Sequence, residues 1–131
     1  MTHSSKSNIA LSQIGQIAVP VSDIERAIGF YRDVLGMQFL FQAPPGLAFF
    51  DCGGVRLMLD QPAKTHANIF SSVIYYKVPD LHQAYEALFS RGVNFETKPH
   101  LIAKLPDHKL WMAFFRDPDN NLLALMSEVR D

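Results

Sequence analysis

The chain has 131 residues, 48% of them hydrophobic, with ten Phe, four Tyr and one Trp, which is one domain's worth of core and excludes global disorder. Twelve Lys plus Arg against thirteen Asp plus Glu leave a net charge of −1 without a basic run, so nucleic acid is not an expected partner. The single cysteine, Cys52, excludes a disulfide framework, and no membrane span or signal-like segment stands out, so a globular cytoplasmic protein is expected.

Residues 1–10 read as a flexible polar tail in which His3 has no role. Alternating Ile14, Ile17, Val19 and Val21 predict a strand over 14–21. Ser22-Asp23-Ile24-Glu25 has the form of a capping box with Ser22 as its hydroxyl. Ile24, Ala27, Ile28, Tyr31, Val34 and Leu35 then follow at helical spacing, and Gly36 supplies a left-handed stop. Strands are predicted near 37–42, 47–51 and 55–60, separated by the Pro44-Pro45-Gly46 and Cys52-Gly53-Gly54 turns. Residues 61–68, with His66, form a polar connection. The next strand covers 73–78, and Asp80 opens a helix that buries Leu81, Ala84, Tyr85 and Leu88, keeps His82 toward solvent and stops at Gly92. Strands near 93–97, 110–116 and 121–127 complete the chain, with a long loop over 99–111 and a turn at Asp117-Pro118-Asp119-Asn120.

The second half repeats the first. Val21-Ser22-Asp23-Ile24 aligns with Val78-Pro79-Asp80-Leu81 and Ala27 with Ala84, an offset of 57 residues. The expected fold is therefore α+β: two tandem βαβββ modules, about 11–61 and 69–129, within a single domain over 11–131. Together they would form a partly open, eight-stranded, barrel-like sheet with a cleft. Open sheet edges and apolar concave faces lead us to expect a homodimer.

Gln16-Ile17-Ala18-Val19-Pro20-Val21-Ser22-Asp23, the Phe30-Tyr31-Arg32-Asp33-Val34-Leu35-Gly36 helix end and Phe115-Arg116-Asp117-Pro118-Asp119-Asn120 resemble the vicinal oxygen chelate superfamily. That group holds glyoxalase I, extradiol dioxygenases and bleomycin-resistance proteins. The resemblance runs from about Ile14 to Glu128 and implies the two-module fold more firmly than any activity. Its enzymes hold one divalent metal on four strand positions, which carry over to Gln16, Met58, Val73 and Ala124. Valine and alanine have no lone pair to give, and a thioether suits a hard cation poorly. The resemblance thus leads us to expect no metal and no other cofactor at that place.

Other residues supply alternatives. His100 and His108, in the long loop with Lys104, Asp107 and Trp111, are candidate catalytic groups or, with Gln16, a rearranged site for Zn, Ni, Fe or Mn. Arg56 would bind a carboxylate if it faced the cleft and would be a solvated cation if it did not. Cys52 reads as structural. Many strand aromatics, among them Phe39, Phe41, Phe49, Phe50, Tyr75, Tyr76, Trp111, Phe114 and Phe115, supply rings to both sheet faces. The leading expectation is a small-molecule binding protein that takes its ligand on Gln16, Arg56, Met58, Val73, Tyr75, Trp111 and Ala124. Whether it is an enzyme stays open. The alternative is a glyoxalase-like lyase or isomerase, or a dioxygenase relative, using Gln16, His100 and His108.

Overall fold

A computed structural model describes residues 9–62 and 72–130; His3 and His66 lie outside the described residues. The first module holds strand β1 (Gln16–Pro20), helix α1 (Ile24–Ile28), which widens into a π-helical stretch over Gly29–Val34, and strands β2 (Gln38–Ala43), β3 (Leu47–Cys52) and β4 (Val55–Asp60). The second holds β5 (Ile74–Lys77), α2 (Leu81–Ser90), β6 (Asn94–Phe95), β7 (His100–Lys104), β8 (Lys109–Arg116) and β9 (Leu122–Val129). The first sheet runs β1-β4-β3-β2 and the second β5-β9-β8-β6, with β7 also on β8. In each module the opening strand lies parallel to the last one, and every other pair is antiparallel. Among the described residues no ladder joins the two sheets, so the eight-stranded sheet of the sequence reading is two curved sheets packed through one core and no closed barrel.

The 57-residue repeat is also a repeat of register. Ala18 pairs with Met58 in the first module, and Tyr75, its counterpart by that offset, pairs with Ala124 in the second. Both helices cover the same side of their sheets. Val19, Phe50, Leu57 and Leu59 meet Ile24, Ala27 and Tyr31 under α1, while Phe115, Leu123 and Leu125 meet Leu81 and Leu88 under α2. Because side chains alternate along a strand, the opposite face of each sheet carries Gln16, Ala18, Arg56, Met58, Tyr75, Ala124 and Phe114. No described helix covers that open face.

Two local expectations change. Asp23, not Ser22, caps α1: its carboxylate accepts from the Arg26 amide at 3.1 Å, as Asp80 accepts from Gln83 at the same distance. Ser22 is drawn elsewhere, its amide donating to Asp119 Oδ1 at 2.8 Å and its hydroxyl bonding the same oxygen. The loop predicted over 99–111 contains β7. Its hairpin with β8 closes where the Leu105 amide donates to the His108 carbonyl at 2.8 Å, so only 105–108 turn.

The modules are clasped at the Asp117 turn. Asp117, 5% exposed, accepts from Tyr31 Oη at 2.8 Å and from Asn121 Nδ2 at 2.9 Å, and from the backbone amides of Asp119 and Asn121. Asn121 Nδ2 reaches back to the Pro20 carbonyl at 3.0 Å, and Asp119 pairs with Arg26 at 3.0 Å. Arg91 adds a bond from the second module to the Val34 carbonyl at 2.7 Å. Burial, together with the Asp117 charge, pushes the Tyr31 phenol far above its ordinary range, so it acts here as a neutral donor.

Candidate functional site

The open face is built from cross-strand rows. In the first module the row Ala18, Met58, Phe49, Phe41 crosses β1, β4, β3 and β2, and the Phe41 and Phe49 rings stack with centroids 4.7 Å apart. In the second, Tyr75, Ala124 and Phe114 stand in one row over β5, β9 and β8. Tyr75 and Phe114 meet edge to face at 6.0 Å, with Ala124 between their strands and fully buried. Such pairs contribute roughly 0.5–1.5 kcal/mol beyond area burial. Met112 and Met126 extend this surface on β8 and β9. Phe41 and Tyr75 nevertheless stay 47% and 45% exposed, which leaves an aromatic surface facing water.

Polar groups border the rings. Arg56 lies on the open face with its guanidinium 5.7 Å from the Phe49 ring centroid, which settles the direction the sequence left open. Gln16 is exposed beside it, its amide nitrogen 3.7 Å from the Met58 sulfur. Lys77 pairs with Glu128 at 3.5 Å. The hydrogen bond from Arg130, with help from Lys77, holds the Glu128 carboxyl below the usual carboxylate range.

Of the four carried-over ligand positions, Met58 and Ala124 occupy equivalent places opposite Ala18 and Tyr75, Gln16 shares the open face with Met58, and Val73 lies just before β5. Their chemistry offers one neutral amide and one thioether, a donor set that does not fit a divalent ion. At Ala124 the space a longer ligand would need is bordered by Tyr75 and Phe114. Among the described residues no three His, Cys, Asp or Glu side chains stand close enough to share a metal ion.

The alternative set of Gln16, His100 and His108 is not brought together. His100 pairs with Met112 at one end of the β7–β8 hairpin, its Nδ1 2.8 Å from the Lys98 carbonyl and its ring toward Phe114. His108 stands at the other end, about four strand residues or roughly 13 Å away, with Nδ1 2.8 Å from Asp107 Oδ1. The Asp107–His108 contact is local and needs no third partner. Trp111 also parts from the other candidates: alternation puts it with Ala113 and Phe115 on the helix-covered face, against the core and 5.8 Å from the His82 ring. Cys52 is partly buried, and burial followed by the Asp51 charge raises its thiol pKa, which suits a structural residue. Sequence reasoning missed Phe114, Phe49 and Phe41 as site residues; only the strand register aligns them with Ala124, Met58 and Ala18.

The family model described as Glyoxalase/Bleomycin resistance protein/Dioxygenase superfamily matches residues 13–125. The chain belongs to that superfamily. Among relatives of this superfamily fold, an uncharacterized protein from Bacillus subtilis (strain 168), YraH, is 31% identical, with 84% of this chain and 94% of that protein covered. A bleomycin resistance protein from Geobacillus stearothermophilus is 27% identical, over 86% of this chain and 95% of its own length. The crystal structure of a lactoylglutathione lyase from Agrobacterium tumefaciens superposes with a TM-score of 0.69 at 22% identity, covering 88% of this chain and 93% of that one, a likeness of fold alone. No described helix is long and apolar enough to cross a membrane. Superfamily membership fixes the scaffold, and the chemistry has to be read from the open face.

Proposed function

We propose that the protein is a metal-free binder of a flat, largely apolar organic molecule, acting as a cytoplasmic homodimer. The observation that carries this reading is the Tyr75–Ala124–Phe114 row, which sets an aromatic pair around a buried alanine where the superfamily's enzymes have a metal ligand. The Phe41–Phe49 stack repeats the arrangement beside Met58, and thioethers adapt readily to varied apolar partners. Arg56, exposed and set over Phe49, would pair with an acidic group at the ligand's edge. The likeness to bleomycin resistance proteins supports binding rather than turnover. Bleomycin itself is a poor candidate, because a net charge of −1 offers little to a cationic drug. Exposed Phe41 favours a second copy as cover for part of this surface.

The test begins with protein purified without chelators or affinity tags. Elemental analysis should find Zn, Ni, Fe and Mn far below one equivalent, and thermal melts should not respond to these ions. A panel of planar aromatic acids should raise the melting temperature, with the effect reduced at least about tenfold in apparent affinity by Phe114→Ala or Arg56→Ala. Near-stoichiometric metal would overturn the metal-free reading. Ligand shifts untouched by both substitutions would overturn the site. Sedimentation should give a dimer mass, and a monomer at every concentration would remove the second copy.

A further inference from the structure

The two modules start their helices alike, and the one bond they do not share leaves a cavity. The Val21 amide donates to the Asp60 carbonyl at 3.0 Å, and in the second module Val78 donates to the Met126 carbonyl at 2.9 Å. Asp23 and Asp80 then cap the third helical amides, Arg26 and Gln83, at the same 3.1 Å. After Asp60 comes Gln61, whose side-chain oxygen accepts from the first helical amide, Ile24, at 2.7 Å. Its counterpart after Met126 is Ser127, a much shorter side chain. Among the described residues neither the Leu81 amide, the counterpart of Ile24, nor the Ser127 hydroxyl has a hydrogen-bond partner. In place of the Gln61 amide the second module has a partly open cavity of about 220 Å3, lined by Pro79, Leu81, His82, Trp111, Ser127 and Val129, together with Asp80. Ser127 is 1% exposed and pairs with Trp111, so both stand on the helix-covered face toward this cavity. The Trp111 and His82 rings meet edge to face at 5.8 Å in its wall. A buried hydroxyl and a first-turn amide without acceptors call for one. One water takes about 30 Å3 and fills little of that volume, whereas a cavity of about 150 Å3 holds benzene.

We infer that this cavity binds a small neutral molecule carrying a carboxamide on a flat apolar ring. The ligand's amide oxygen takes on Leu81 the place that the Gln61 oxygen holds on Ile24, Ser127 adds a second hydrogen bond, and the ring lies along Trp111 and His82. The Asp80 carboxylate disfavours an anion there. The site is on the opposite face from Tyr75 and Phe114 and does not rest on the function proposed for the open face. Three probes test it: benzamide, benzoate, and toluene, which keeps the ring and lacks the amide. Amide NMR titrations of the full chain with benzamide should show a saturable downfield shift at Leu81, with shifts at Ser127 and the Trp111 indole, while Ile24, already bonded, stays unmoved. Benzoate should bind more weakly than benzamide. Ser127→Ala should lower the benzamide to toluene affinity ratio about five- to tenfold. Ser127→Gln, which gives the second module the side chain of the first, should abolish the Leu81 response while melts confirm a folded protein; if that variant does not fold, Ser127→Ala decides. Absence of saturable shifts, shifts confined to Phe41 and Tyr75 on the open face, tighter binding of benzoate, or a ratio unchanged by Ser127→Ala would each overturn the assignment.

Discussion

Single side chains decide what the open face can bind. Ala124 and Met58 hold equivalent places, yet one is overlooked by two rings and the other offers a thioether. The exchange of a lone-pair donor for a methyl group therefore changes the chemistry of the face without disturbing its strands. Asp107 shows a charged group under similarly local control. The hydrogen bond from His108, helped by the charges of His108 and Arg130, holds its carboxyl below the usual carboxylate range, although the side chain is exposed. With the folded-state value depressed, whatever stability the contact adds is present above the unfolded carboxylate value and is lost as pH falls through the folded one. Solvent screening keeps that contribution small. We expect His108→Ala to return the Asp107 titration toward the ordinary carboxylate range in carboxyl-carbon NMR. An unmoved titration would assign the effect to Arg130, 3.7 Å away, instead.

Elements form where the sequence pattern is strong and change where a distant partner competes. The Pro44-Pro45-Gly46 turn is fixed by such a partner, since a Cβ on Gly46 would stand 2.5 Å from the Gln61 carbonyl oxygen. Gln61 in turn donates its amide to the Gly46 carbonyl at 2.8 Å and accepts from the Ile24 amide at 2.7 Å through its side chain. Gly46→Ala should thus loosen both the hairpin and the start of α1, costing about 1–3 kcal/mol in urea unfolding. Gly15→Ala, with nothing within 4 Å, should be nearly neutral; equal effects of the two would remove the close approach as the cause. Most elements were legible because burial imposes periodicity: β3, β4, α2 and the stops at Gly36 and Gly92, both at positive φ, stand where the alternation and punctuation put them. The cap of α1 was misread because Ser22 fits a local motif, whereas its actual partner, Asp119, lies 97 residues on. Alignment with Asp80 held the better signal. Strand β7 was hidden for a different reason. Among the described residues it pairs only with β8, and its His, Lys and preceding Pro suit that exposed place while resembling a loop. Of the candidate site, the repeat relates Gln16 to Val73, while Met58 and Ala124 came from the family resemblance. The aromatic rows were not, because parity assigns a face only after the register of β8 on β9 is known.

At the scale of the molecule, two similar modules become one structure through a shared core and a few polar contacts at the ends of strands. Asp117→Ala would strip the acceptor from Tyr31, Asn121 and two amides at once, and we expect a loss of at least about 3 kcal/mol. Unfolding should stay a single transition, with Trp111 fluorescence reporting the second module and Cys52 thiol labelling the first. Both midpoints should coincide in the native chain and move together in the variant. A shift of the Trp111 signal alone would show that the modules are stable separately. The position of the clasp also matters for synthesis. Domains emerge from the ribosome in chain order, so the first module is made in full while the residues that latch it are still untranslated. Until the Asp117 turn appears, Tyr31 and the Pro20 carbonyl lack their distant partners and the shared core lacks Leu123 and Leu125 of β9. A message cut short just before that turn would spare every strand but β9 and still yield an unlatched, aggregation-prone product, a burden for chaperones rather than a working protein.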